Sequence, residues 1–205
     1  MRPIRTVKIS DGDGTCALDG CVAGNLVCFS LSNRTVRCYD VETATALHTF
    51  EGHTCAVRDI TVSESKPHLL YSAQEDTGVM ISDTRQRQPV RFLGEFCGSG
   101  ATGGTVGVTP SGRTIAVAVN GDVHIVETRT WCSTHIVAGM HLDEITRVRF
   151  ISEEIYCSAG EDQMINFIDA GPTVQDSDIL LQGTVCGEVV TKMTAFFEHN
   201  AVGLV

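Results

Sequence analysis

A short hydrophobic run that ends in an acidic residue recurs along the chain at a nearly constant spacing. The acidic residues follow one another at intervals of 43, 44 and 42 residues: Asp40, Asp83, Glu127 and Asp169. Gly52-His53 recurs in looser form as Gly139-Met140-His141, two periods later. A period in the low forties, with Gly-His early and an acidic residue late, is typical of four-stranded units that stack on copies of themselves.

The stretch from Gly52 to Asp83 predicts what each unit contains. It holds three short runs, AVRDITV, HLLYSA and VMIS, separated by Pro67 and by Asp76-Thr77-Gly78. Each run is too short for a helix, and two are rich in valine and isoleucine, so we expect antiparallel strands joined by turns. The sequence therefore predicts an all-β fold.

The periodic pattern resembles the WD40-repeat family over nearly the whole chain. More narrowly, the runs RCYD, HLDEITRVRF and INFID resemble the WD repeat-containing protein 89 group. The resemblance implies a WD40-type β-propeller with about four full blades and the start of a fifth. It also implies a non-enzymatic scaffold for protein–protein interaction, although a fold alone does not fix a function.

The expected blades cover residues 15–51, 56–94, 103–138 and 145–183, with an incomplete fifth blade over 189–205 and Leu180-Leu181 in an outer strand. The resemblance further implies that a strand over residues 4–9 closes the ring. The chain stops at Val205 inside an apolar run, which would leave an open sheet edge. We therefore expect part of a longer, seven-bladed propeller, with self-association or a complementing propeller segment as its partner.

Composition narrows the classes of partner and compartment. The net charge of −10 argues against nucleic-acid binding, which needs clustered lysine and arginine. No apolar run is as long as a membrane span, and the N-terminus lacks the apolar core of a signal peptide. Nine cysteines without framework spacing indicate a reducing compartment. We expect an intracellular protein, cytoplasmic or nuclear, that binds neither nucleic acid nor membrane.

Two sets of histidine, serine and aspartate match the buried hydrogen-bond network of WD40 blades by position. They are His53, Ser72 and Asp76 in blade two, and His141, Ser158 and Asp162 in blade four. The resemblance implies that the aspartate fixes the imidazole and the serine caps its other nitrogen. The tryptophan that usually ends the network is replaced by Ser82 and Ile168. Blades one and three carry Asn33 and Asn120 at the aspartate position, and no network is expected there.

The same residue types also compose a serine hydrolase triad, which is the enzymatic alternative. No Gly-x-Ser-x-Gly elbow presents Ser72 or Ser158, and geometry rather than composition defines a triad. The structural interpretation is preferred, so no catalytic residue is assigned.

The sequence Gly98-Ser99-Gly100-Ala101-Thr102-Gly103 matches the dinucleotide-binding fingerprint Gly-x-Gly-x-x-Gly. A functional fingerprint opens a helix, whereas the strand-like TVGVT follows here, so we expect a loop between blades.

Metal-ligand spacing is absent from the sequence, since the cysteines form no Cys-x-x-Cys pair and the histidines are scattered. No cofactor and no metal is predicted.

Asp83-Thr84-Arg85 resembles the Trp-Asp-x-Arg box by which some WD40 proteins dock onto the adaptor of cullin-4 ubiquitin ligases. Ser82 stands where that box has tryptophan. A substrate receptor of such a ligase is therefore an alternative function, with Asp83 and Arg85 as docking residues. The simpler interpretation is an exposed arginine paired with a neighbouring acid.

Four acidic residues are expected on one face of the propeller. The inter-blade loop and the hairpin between strands two and three emerge on the same side of a blade, and they carry Glu75, Asp143, Glu144 and Glu161. Few basic residues occur in the same loops. A rim of one charge sign speeds the encounter with an oppositely charged partner, so a basic peptide or protein is the expected ligand.

Overall fold

The computed structural model describes residues 14–86, 88–96, 100–171, 179–193, 195–198 and 201–204. The described chain is all-β and consists of four four-stranded antiparallel sheets in series, followed by a two-stranded hairpin. This confirms the predicted all-β fold and its blade-like sheets. Among the described residues, no helix is long and apolar enough to cross a membrane.

The first two sheets follow the chain order of their strands. The first contains β1 (Ala17–Ala23), β2 (Leu26–Leu31), β3 (Val36–Asp40) and β4 (Ala46–Phe50). The second contains β5 (Val57–Val62), β6 (Leu69–Gln74), β7 (Val79–Asp83) and β8 (Pro89–Leu93). Neighbouring strands are joined by short turns, and every pair is antiparallel.

The remaining sheets repeat this arrangement. The third contains β9 (Gly103–Val108), β10 (Thr114–Val119), β11 (Asp122–Glu127) and β12 (Cys132–Val137). The fourth contains β13 (Ile145–Phe150), β14 (Ile155–Gly160), β15 (Met164–Asp169) and β16 (Leu180–Val185). The hairpin contains β17 (Ala195–Glu198) and β18 (Ala201–Leu204). Leu180 and Leu181 open β16, the last strand of its sheet.

The core lies between consecutive sheets rather than on one side of each. Tyr71 and Ile81 of the second sheet pack with Val106 and Ile115 of the third, and similar clusters join the first sheet to the second and the third to the fourth. Burial of each such side chain contributes about 1.5–3 kcal/mol. Because both faces of the middle strands are covered, these strands read as nearly continuous apolar runs.

The first strands of the four sheets are neighbours in space. Strand β5 packs against β1 and β9, and β9 packs against β13. Side chains also reach from the far end of the series to its beginning, since the Lys192 ammonium lies 2.5 Å from Asp19 Oδ1. Among the described residues, no strand pair joins the fourth sheet to the first, so the four sheets do not form a closed ring of hydrogen-bonded strands there.

Two sequence expectations about the ends have different outcomes. The closing strand expected over residues 4–9 lies outside the described residues, as does Val205. The incomplete fifth blade was expected over residues 189–205; residues 189–193 form no strand, and the described strands of that range are β17 and β18. In this segment Met193 packs against Cys157 and Ala159 of β14, and the Val190 carbonyl accepts a hydrogen bond from the Thr146 hydroxyl.

Candidate functional site

The fourth sheet brings His141, Ser158 and Asp162 together in one buried network. The His141 Nδ1 lies 3.0 Å from both carboxylate oxygens of Asp162, and its Nε2 lies 2.8 Å from Ser158 Oγ. Because a carboxylate only accepts hydrogen bonds, Nδ1 carries the proton. Burial by itself raises the pKa of Asp162, but hydrogen bonds from His141 and from the Leu142 main chain outweigh burial and lower it.

The second sheet builds a related network with an additional residue. The His53 Nε2 lies 2.8 Å from Ser72 Oγ, but its Nδ1 lies 2.8 Å from Gln74 Oε1. The Gln74 amide then donates to Asp76 at 2.5 Å. The direct aspartate–imidazole bond expected here is therefore replaced by a bridge, because the Gln74 side chain is fully buried between the two groups.

The third-strand member of each network also differs from the positions expected from sequence. Ser72 pairs across the sheet with Met80, and Ser158 pairs with Asn166. The Asn166 amide lies 3.3 Å from His141 Nε2 and donates to the Met140 carbonyl at 2.6 Å. Ser82 and Ile168 are buried two pairs further along the strands, so neither ends a network.

Replacing His53 by alanine is expected to lower the free energy of unfolding by about 1–3 kcal/mol, because Ser72 and Gln74 lose a buried partner. Urea titration followed by circular dichroism measures this change. His135→Ala is the matched control, since His135 is exposed on outer strand β12. It should change stability by at most about 0.5 kcal/mol. Equal losses of unfolding free energy in the two variants would contradict a stabilising role for the network.

The asparagines of the first and third sheets form different hydrogen bonds, Asn33 within its own turn and Asn120 with the segment that precedes β9. The Asn33 side chain accepts a hydrogen bond from the Thr35 hydroxyl at 2.7 Å, and Asn120 Oδ1 accepts one from the Thr102 N–H at 3.0 Å. Asn120 has a left-handed φ of 57°, which asparagine tolerates better than most residues.

The predicted acidic face, defined as Glu75, Asp143, Glu144 and Glu161, is formed by loops at one end of the sheets. The antiparallel register places the start of β13 opposite the end of β14, and the Glu161 N–H donates to the Glu144 carbonyl at 2.9 Å. Three of the glutamates line one cavity of about 430 Å³, together with residues from the first strands of all four sheets. Asp143 does not line it; its carboxylate accepts the Glu144 N–H at 2.9 Å.

The acidic face is less purely acidic than the loop sequences suggested. Arg58, on strand β5, forms an ion pair with Glu75, so Glu75 is not free. The loops themselves hold few basic residues, but strand β5 brings Arg58 to the same face. Arg147 and Lys192 also line the cavity. Burial raises the pKa of Glu144, against an opposing effect of the Arg58 charge.

Asp83 and Arg85 form a close ion pair with each other. The Arg85 Nη2 lies 2.6 Å and its Nε 2.9 Å from the two Asp83 oxygens, while the Arg85 main-chain N–H also donates to Asp83. The guanidinium hydrogen bonds lower the pKa of Asp83 to about 2. The Arg85 side chain remains 66% exposed, but its hydrogen-bonding fork is occupied by its neighbour.

A buried ion cluster between the first strands was not found from the sequence. Asp59 of β5 is fully buried and accepts two hydrogen bonds from Arg149 of β13, at 2.7 and 2.9 Å. It also accepts the Thr105 hydroxyl and the Val106 N–H of β9. Burial raises the pKa of Asp59, but the Arg149 and Arg147 charges outweigh it and hold the pKa well below its usual range. One carboxylate thus links three sheets.

The fingerprint stretch does not lead into a helix. Its last residue, Gly103, opens strand β9, and Cys97 to Ser99 lie outside the described residues. In the part of the chain that the structure describes, no group of three or more histidine, cysteine or acidic residues is arranged to hold a metal ion.

Comparison with known proteins adds no family to this description. No protein-family model matches the chain, and no curated protein matches it.

Proposed function

We propose that the chain is a WD40-type propeller similar to the WD repeat-containing protein 89 group and acts as a non-enzymatic interaction scaffold. Its partner is a protein or peptide with a basic segment, and the acidic face is the docking surface. The observation that carries this proposal is the convergence of Glu75, Glu144 and Glu161, from two different sheets, on one cavity. The four sheets in series support the propeller assignment.

The charges around the cavity favour a cationic group near Glu144 and Glu161. Arg58 offsets Glu75 directly, whereas the structure gives no ion pair within 4.0 Å to Glu144 or Glu161 among the described residues. These two residues are neighbours, since their main chains are hydrogen-bonded, and burial together with the Glu161 charge raises the pKa of Glu144. A lysine or arginine side chain placed between them would relieve their mutual repulsion.

Leu142 supplies an apolar contact beside the acidic residues. Its side chain is 98% exposed, yet its main-chain N–H is held by Asp162 at 3.0 Å. The buried network of the fourth sheet therefore anchors the main chain of a leucine whose side chain is exposed to solvent. An exposed apolar side chain next to charged groups suits a protein partner, because interfaces combine apolar anchors with a polar rim.

The serine residues support a scaffold rather than a hydrolase. Ser72 and Ser158 are at most 1% exposed, and each hydroxyl is engaged with a histidine inside its sheet. A substrate carbonyl cannot approach an oxygen that is closed to solvent. The histidine, serine and acidic residues are therefore assigned to holding the loops that form the acidic face.

Affinity capture from cell extract, with partners identified by mass spectrometry, tests the proposal. The test variant is Glu144→Lys/Glu161→Lys, which reverses the acidic face and keeps the Arg58–Glu75 pair. The matched control is Glu64→Lys/Glu154→Lys. It makes the same charge change in exposed turns of the second and fourth sheets, at the end opposite the acidic face.

Partners with basic segments should be recovered by the unmodified chain and by the control, and be lost from the test variant. Recovery of the same partners by all three proteins would contradict the assignment of the acidic face. Thermal melting of the three proteins should agree closely, because surface substitutions change stability little.

A further inference from the structure

A second cavity of about 390 Å³ adjoins the first and is unusually rich in cations. Its lining includes Arg147, Arg149 and Lys192, and Asp19 is the one acidic residue among its described lining. Arg147 and Lys192 also line the first cavity, so they lie where the two cavities meet. Counting the buried Asp59 behind them, three cations face two carboxylates, which leaves one unbalanced positive charge.

Two of the three cations are well paired. Arg149 makes two short hydrogen bonds to Asp59, in the bidentate geometry that binds a guanidinium most strongly. Lys192 lies 2.5 Å from Asp19 and donates to the Leu18 carbonyl at 3.0 Å. These contacts account for both carboxylates, so the unbalanced charge belongs to Arg147.

Arg147 is the cation without a close carboxylate. Its nearest carboxylate oxygens are 3.7 Å away on Asp19 and 4.0 Å away on Asp59. Its Nη1 donates to the Thr146 carbonyl at 3.0 Å and its Nη2 to the Arg58 carbonyl at 3.4 Å, which is a long bond. The side chain is only 6% exposed, and its buried Nε has no hydrogen-bond partner among the described residues.

We propose that Arg147 is the receptor for a single carboxylate that enters the second cavity. Its Nε and Nη2 form one edge of the guanidinium, and such an edge binds the two oxygens of a carboxylate side by side. One carboxylate satisfies the unpartnered Nε and balances the surplus charge. The Nε is closed to solvent, so binding requires the side chain to rotate. The hydrogen bonds that it gives up are those to main-chain carbonyls, together with its longer ion contacts to Asp19 and Asp59.

The cavity fits a small ligand group. A volume near 390 Å³ holds a small carboxylic acid or the acidic end of one peptide side chain. Both sources present the same group to Arg147. The proposal does not rest on the acidic face as a docking surface: Arg147 and Lys192 line both cavities, but Glu144 and Glu161 line the first and not the second.

Titration calorimetry of the full chain with two probes tests the site. The probes are sodium acetate and a neutral-ended peptide with a single glutamate, each measured against sodium chloride at equal ionic strength. Arg147→Gln should weaken binding at least about tenfold, because it removes a charge-assisted bidentate contact. Arg147→Lys keeps the charge and loses the fork, so it should also weaken binding. Arg129→Gln, at an exposed arginine of the third sheet, should leave affinity within about twofold.

The unmodified protein supplies a readout that does not depend on the folding of any variant. Acetate or the peptide should shift the Nε–H nuclear magnetic resonance signal of Arg147 and leave that of Arg149 nearly unchanged. Binding of acetate identifies a free small carboxylate as sufficient, and binding of the peptide alone identifies an acidic side chain. No shift with either probe, or equal affinity in the Arg147 and Arg129 variants, would overturn the proposal.

Discussion

Replacing Asp59 by alanine is expected to lower the free energy of unfolding by about 3–5 kcal/mol, the largest effect of any single substitution considered. The variant leaves the buried Arg149 guanidinium without its carboxylate, and an unpaired buried charge is strongly destabilising. The Thr105 hydroxyl and the Val106 N–H lose their acceptor as well. Urea unfolding of the purified chain measures the change.

Arg129→Ala provides the comparison for Asp59→Ala. The Arg129–Glu127 ion pair joins side chains that are 79% and 36% exposed, whereas the Asp59 side chain is fully buried. Because both partners reach solvent, water replaces their interactions, and the unfolding midpoint should hardly move. A loss for Arg129→Ala as large as that for Asp59→Ala would show that burial does not decide the strength of these pairs.

Replacing Gly104 by alanine is expected to destabilise the fold by about 2–5 kcal/mol. Gly104 has a left-handed φ of 69°, which costs an alanine about 1–2 kcal/mol. A Cβ at this position would also lie 2.7 Å from the Gln74 carbonyl oxygen, where main-chain atoms cannot move aside easily. Such overpacking costs a further 1–3 kcal/mol or so. Differential scanning calorimetry should show a clearly lower melting temperature.

Gly24→Ala separates the two contributions. Gly24 has a similar φ of 63°, but a Cβ there would meet nothing within 4 Å. Its loss should therefore be limited to the conformational cost of about 1–2 kcal/mol. If Gly104→Ala and Gly24→Ala lower the melting temperature equally, the close approach between the second and third sheets at Gly104 adds nothing to the loss of stability.

The repeat period made the blades predictable from sequence. A hydrophobic run ending at Asp40, Asp83, Glu127 or Asp169 marks the third strand of each sheet, and this local pattern needs no knowledge of distant contacts. The positions of His141, Ser158 and Asp162 were readable for the same reason, since they repeat at fixed offsets within one blade. Their contacts lie within a single sheet.

The residues that join different sheets were not predictable in this way. Asp59 and Arg149 are 90 residues apart, and no local pattern specifies which buried acid meets which buried base. One usable signal was present, because Arg147 and Arg149 alternate with Val148 and therefore share one side of β13. Charged residues that share one side of a first strand indicate a charged interior.

Two residues of the site, Gln74 and Arg58, were not predicted from the sequence. Gln74 was overlooked because the expected network joins histidine directly to aspartate, and an amide of the right length can bridge the same gap. Arg58 was not predicted because the acidic face was inferred from charges in the loop sequences, whereas Arg58 lies on strand β5. Gln74 ends strand β6, two residues after Ser72, and Arg58 lies within strand β5. Each therefore stands in an element that the sequence did predict.

The most direct test of the acidic face as a docking surface is the rate of association with a lysine-rich peptide, measured by stopped-flow fluorescence over a salt series. Opposite charges steer encounter, so the rate should fall as salt rises. The Glu144→Lys/Glu161→Lys variant should bind slowly and lose or invert this dependence, while Glu64→Lys/Glu154→Lys should behave like the unmodified chain. Identical rates and salt dependence in all three proteins would contradict the account.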